Sequence, residues 1–152
     1  MPSKTKSRSG TSGASLVETA VTVAFVVPLC FYVLFVAMEA SQTFGISQAL
    51  QQGAREAARR LATTYAVDPG IVNNAGDQTK YGYDPVRING VIADSSQFTA
   101  KFNPDIANPT SVSVTATYAS GKFGLPPFPQ NADPLFLGPN FKLQSSATYT
   151  LE

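Results

Sequence analysis

The sequence predicts an α+β protein in which one long helix precedes a small antiparallel sheet. Two patterns lead to this fold class. Residues 14–66 combine an uncharged apolar run with helical periodicity, whereas apolar residues of the last third alternate with polar ones, as in half-buried strands. We therefore divide the 152-residue chain into a basic segment 1–13, a helix 14–66 and an outer domain 67–152.

The first part of the helix is long and apolar enough to cross a membrane once. Residues 19–38, hereafter the apolar segment, carry no charge and as a helix would rise about 30 Å, the thickness of a bilayer's hydrocarbon core. A cleaved secretory signal is the alternative, but its apolar core usually has about 7–15 residues, and no small-x-small cleavage site follows this run. Pro28 removes one backbone hydrogen bond and predicts a kink.

Charge is distributed unevenly along the chain. Residues 1–66 have a net charge of +3 and the remainder −2, so the outer domain is not expected to bind nucleic acid. Basic residues on both sides of the apolar segment only favour a cytoplasmic amino end, without deciding it. They are Lys4, Lys6 and Arg8 before it, and Arg55, Arg59 and Arg60 about 17 to 22 residues after it.

Helical periodicity continues beyond the apolar segment. Apolar residues recur every three or four positions and would form one stripe of an amphipathic stalk. The stripe comprises Ile46, Leu50, Ala54, Ala57, Leu61 and Tyr65. A helix over residues 14–66 would be a rod of about 80 Å, and we expect the outer domain to pack on this stripe.

Three alternating segments in the outer domain predict an antiparallel meander. Their same-face residues are Phe98, Ala100 and Phe102; Val112, Val114, Ala116 and Tyr118; and Phe141, Leu143, Ala147, Tyr149 and Leu151. Over 84–94, Asp84-Pro85 indicates a helix start, while Asn89-Gly90 is equally typical of a hairpin turn. The Pro-rich stretch 121–139 connects the last two strands; it is either a partner surface or, the favoured reading, a loop laid over the sheet.

Composition argues against an enzyme. The chain has no His and one cysteine, Cys30, so it lacks the imidazole base and most transition-metal ligands. Its aspartates are scattered among turn-forming residues without the spacing of a calcium loop. We therefore expect no catalytic residue, no cofactor and no metal.

Glu18 begins the apolar helix, where an ionised carboxylate is costly unless it is paired or stays at the interface. A basic leader ends at Gly13, four residues follow, and then Glu18 precedes the apolar segment. This arrangement resembles the class III signal of type IV pilins and pseudopilins. The resemblance implies that a prepilin peptidase cuts between Gly13 and Ala14 on the cytoplasmic face. It also implies that Glu18 pairs with the new amino terminus, Ala14, of a neighbouring subunit.

A narrower resemblance covers the amino-terminal half. Glu39, residues 48–50 (QAL) and residues 53–59 (GAREAAR), downstream of the leader motif, are similar to TadE-like proteins, the pseudopilins of the tight-adherence (Flp, type IVc) pilus system. Two positions depart from that pattern. Thr19 replaces the usual aromatic residue after the glutamate, and Pro28 lies about one helical turn farther along.

The TadE-like resemblance has consequences for fold, location and partners. It implies a pilin-like fold with a short helix before the meander, a single-pass protein of the bacterial inner membrane and a periplasmic outer domain. Prepilin peptidase, other pilins or pseudopilins and the pilus assembly platform are the implied partners. A major pilin is disfavoured because Flp-type major subunits have little beyond the amino-terminal helix. A membrane-anchored binding or sensor domain unrelated to pili remains the alternative.

Overall fold

The computed structural model describes residues 11–86, 95–119 and 141–151. Its first element is a 57-residue helix, α1 (Thr11–Val67), which contains Pro28 and continues past it. The part of α1 that is apolar enough to cross a membrane is not buried by the rest of the described chain. The predicted long amino-terminal helix is therefore confirmed.

A series of short helical turns follows α1 and contributes Ile71, Val72 and Tyr83 to the core. A 3-10 helix at Pro69–Asn73 and a turn of α-helix at Ala75–Asp77 lead into a π-helical segment at Gln78–Tyr83. Side chains start the first two turns, because Asp68 Oδ1 accepts the Gly70 N–H at 2.9 Å and Asn74 Oδ1 accepts the Gly76 N–H at 3.0 Å. These turns were not predicted.

The expected helix start at Asp84-Pro85 is a three-residue 3-10 helix, Asp84–Val86. Another 3-10 turn, Ser95–Gln97, precedes the sheet. The rest of the predicted helix or hairpin, including Asn89-Gly90, lies outside the described residues, as do the basic residues of the leader up to position 10 and the Pro-rich stretch 121–139.

The sheet is the predicted three-stranded antiparallel meander. Its strands are β1 (Phe98–Asn103), β2 (Ser111–Ala119) and β3 (Lys142–Thr150), in the order β1-β2-β3. In the register, Val112 faces Phe102 on one side and Tyr149 on the other. The α+β fold class is therefore confirmed.

The core lies between the sheet and the outer half of α1. Leu50, Ala54, Ala57 and Leu61 of the predicted stripe are buried, and Ile46 and Tyr65 are partly buried at its ends. On the sheet, Val112, Val114, Ala116 and Tyr118 are buried, as expected from their alternation. Aromatic contacts close the core, with Tyr65 and Phe102 centroids 6.2 Å apart and Tyr83 stacked on Phe98 at 5.4 Å.

Candidate functional site

The residues of the predicted leader motif lie in the first turns of α1. Gly13, Ala14 and Glu18 are helical and exposed, and the five residue steps from Gly13 to Glu18 correspond to a rise of about 7.5 Å along the helix axis. A Cβ atom placed on Gly13 would meet no other atom within 4 Å. The described part of the chain therefore leaves the bond between Gly13 and Ala14 uncovered.

Hydrogen bonds within α1 satisfy the hydroxyl groups of the two threonines that follow Glu18. Thr19 Oγ1 donates to the Ser15 carbonyl at 2.8 Å, and Thr22 Oγ1 donates to the Glu18 carbonyl at 2.9 Å. Such bonds let threonine enter an apolar helix without an unsatisfied hydroxyl. Among the described residues, Glu18 has no ion-pair partner. Its carboxylate is thus available to a cation from outside this part of the chain.

The helix around and beyond Glu18 presents apolar side chains in all directions. Leu16 is 72 % exposed and Phe25 is 75 % exposed, and large apolar residues remain uncovered as far as Met38. An apolar surface of this length needs lipid or other helices around it. Among the described residues, the first half of α1 is therefore a long apolar surface without a packing partner.

Glu39, directly after the apolar segment, is buried, with an exposed fraction of 4 %. It is one of two buried polar or charged residues in the described ranges, the other being Gln97. The sequence did not predict that Glu39 is buried, because its burial depends on tertiary contacts rather than on the local pattern of residues.

An arginine and glutamate cluster lies on the outer half of α1. The Glu56 carboxylate accepts hydrogen bonds from Arg59 at 2.9 and 3.0 Å and from Arg60 at 2.7 Å. These bonds lower the pKa of Glu56 to about 2 and raise the pKa of Arg59. Because Glu56 and its partners are about one-third to one-half exposed, the cluster contributes little stability. The sequence showed these charges but not their pairing.

The described residues offer no metal centre. Within 11–86, 95–119 and 141–151, no three His, Cys, Asp or Glu side chains come together in a group that could hold a metal ion. Asp68 caps a helical turn, as expected of a turn-forming aspartate, and Cys30 is a free, exposed thiol on the apolar segment.

Comparison with known proteins does not assign a function to this arrangement of residues. No protein-family model, curated protein or solved structure matches the chain. The functional argument therefore rests on the residues of α1 and on their surroundings.

Proposed function

We propose that the protein is a TadE-like minor pseudopilin that takes part in assembly of a tight-adherence (Flp, type IVc) pilus. The observation that carries the proposal is the spacing of Gly13 and Glu18 at the start of an uncovered apolar helix. The activity is association between subunits. α1 anchors the protein in the bacterial inner membrane, with the amino end cytoplasmic and the outer domain periplasmic.

Processing by a prepilin peptidase is the first step of this function. The enzyme cuts after Gly13 and makes Ala14 the amino terminus of the mature chain. The exposure of both residues in α1 supports access to the bond. Cleavage removes the basic leader with Lys4, Lys6 and Arg8, so the leader acts as a processing and orientation signal.

Pairing between subunits is the second step. When apolar helices bundle, the Glu18 carboxylate of one subunit and the Ala14 ammonium of a neighbour both leave water. Each group then lowers the desolvation cost of the other. The lack of a partner for Glu18 among the described residues supports an intermolecular role.

The packing of the outer domain is compatible with bundling. Its core against α1 begins at Ile46 and Leu50, so the described sheet leaves the apolar segment uncovered. Helices of other pilins, pseudopilins or the assembly platform can therefore reach that segment without displacing the described sheet.

Cleavage mapping tests the proposal. The full chain is expressed with and without a prepilin peptidase, and its intact mass is measured. We expect loss of residues 1–13 only with the peptidase, and no loss in Gly13→Leu. Gly45→Leu is the matched control, because Gly45 is also an exposed glycine of α1 with open space around it. An intact leader on the wild-type chain would refute the proposal and favour a membrane-anchored binding domain.

A second experiment separates pairing from processing. Glu18→Ala should still insert into the membrane but should impair piliation, whereas Glu18→Asp keeps the charge and should retain part of the function. Membrane fractionation and pilus counts by electron microscopy give the two readouts. Normal piliation with Glu18→Ala would contradict the pairing role.

A further inference from the structure

The two edge strands of the sheet differ in how well they are protected against pairing with another strand. β1 is the short edge, with Lys101 in its middle and Pro104 directly after it. Its core-facing residues, Phe98 and Phe102, are buried. A central lysine and a flanking proline are common protections against pairing with another strand. Pairing of a further strand with this edge is therefore disfavoured.

β3 forms the opposite edge and lacks these protections. It has nine residues, no proline and a single charge, Lys142, at its first position. In the described part of the chain, β2 is its one strand neighbour. Tyr149 faces the core side, yet it is 46 % exposed, whereas Val112 opposite it is fully buried. Within the described residues, the core is thus incomplete along β3.

Two grooves lie between α1 and β3, and both are lined by Tyr149. The first has a volume of about 570 Å³ and is lined by Gln52, Arg55 and Arg59 of α1 and Ala147 and Thr148 of β3, among others. The second has a volume of about 560 Å³ and lies between residues 62–66 of α1 and 148–150 of β3. Successive grooves beside an open edge suit alternate side chains of an added strand.

The charge in the first groove is positive. Arg55 and Arg59 line it with Glu56, and Glu56 already accepts hydrogen bonds from Arg59 and Arg60. Arg55 has no hydrogen bond or ion pair within the described residues. A guanidinium with five donors at the rim of a groove is suited to a carboxylate.

We infer that the outer edge of β3 binds an extended, acidic segment of another protein by strand addition. The segment forms backbone hydrogen bonds with β3, covers Tyr149 with an apolar side chain and pairs a carboxylate with Arg55. A second copy of this sheet does not fit, because neither edge strand, β1 or β3, contains Asp or Glu. The inference does not depend on pilus assembly.

Peptide binding to the full chain in detergent micelles tests this inference. The probes are two fluorescent, end-capped decapeptides of alternating Thr and Val, one with a central Glu and the other with a central Lys. We expect the Glu peptide to bind up to about fivefold more tightly, as is typical for one solvent-exposed ion pair. Arg55→Glu should reverse the preference. Lys101→Glu, the same charge change on the β1 edge, should leave it unchanged.

Hydrogen exchange on the same samples locates the peptide. Its addition should slow alternate amides of β3 and leave those of β1 unchanged. Absence of binding, equal affinity for the two peptides, or an unchanged preference in Arg55→Glu would overturn the inference. Slow exchange of every β3 amide before peptide is added would also overturn it, because the edge would then be covered by the chain itself or by a second copy.

Discussion

Replacing Gly82 with alanine tests the close packing between α1 and the helical turns that follow it. An added Cβ would lie 2.6 Å from Leu61 Cδ2 and 2.7 Å from Leu61 Cγ. Leu61 is fully buried and cannot swing into solvent. Forcing an extra methyl into a packed core costs about 1–3 kcal/mol, and we expect Gly82→Ala to lower the free energy of unfolding by this amount.

A double-mutant cycle with Leu61→Ala gives the sharper measurement. Leu61→Ala alone should cost about 2–5 kcal/mol through lost contacts and a cavity. In the double variant, the new methyl occupies part of that cavity, so the combined loss should be smaller than the sum by roughly 1–2 kcal/mol.

Urea unfolding in micelles, followed by near-ultraviolet circular dichroism of the six tyrosines, measures the stability of the outer domain, since the chain has no Trp. Gly45→Ala is the control. Because nothing lies near its Cβ, it should be neutral or stabilise the helix by up to about 1 kcal/mol. A neutral Gly82→Ala, or strictly additive variants, would refute the packing argument.

Three further predictions concern titration and core packing. Burial raises the pKa of Tyr83 to about 12; between pH 10 and 12 the unfolded chain loses a proton that the folded chain keeps, so stability should fall by up to about 2–3 kcal/mol. Urea unfolding between pH 9 and 12 should show this loss of stability in the wild-type chain and a smaller loss in Tyr83→Phe. The pKa of Glu56 is lowered to about 2, so its ionised carboxylate stabilises the fold above about pH 4.5. This stabilisation is lost as the pH falls towards 2. At this exposure the effect should be about 1 kcal/mol or less; Glu56→Gln should remove it in unfolding curves between pH 2 and 5. Leu50→Ala should cost about 2–5 kcal/mol in the same assay at neutral pH. Leu16→Ala should leave the outer domain unchanged, because Leu16 lies outside the core.

Local periodicity was sufficient to predict the main elements. Spacings of three and four place Leu50, Ala54 and Leu61 on one face of a helix whatever the rest of the chain does. Alternation likewise assigns Val112 and Val114 to one face of a strand. Both predictions are confirmed because one amphipathic face of each element is buried against the other.

The short turns over residues 69–86 could not be predicted in the same way. Their 3-10 and π-helical geometry departs from the 3.6-residue period, so apolar spacing gives no signal there. Burial of Glu39 and Gln97 depends on contacts distant in sequence. The position of Glu18 on a helix was predictable, but α1 begins at Thr11 and so includes Gly13, which we had placed before the helix. Cleavage and pairing stay predictions because both involve other molecules.

The small side chains on the buried face of α1 have a consequence for how the protein tolerates mutation. Ala54, Ala57, Ala58 and Ala62 are all buried in the core. Apart from glycine, every other residue is larger than alanine. Most substitutions at these positions therefore push the helix and the sheet apart. Replacing alanine by another ordinary residue costs at most about 0.7 kcal/mol of helix propensity, less than the cost of overpacking, which is about 1–3 kcal/mol. Mutational drift at these positions should therefore loosen sheet docking while the helix itself persists.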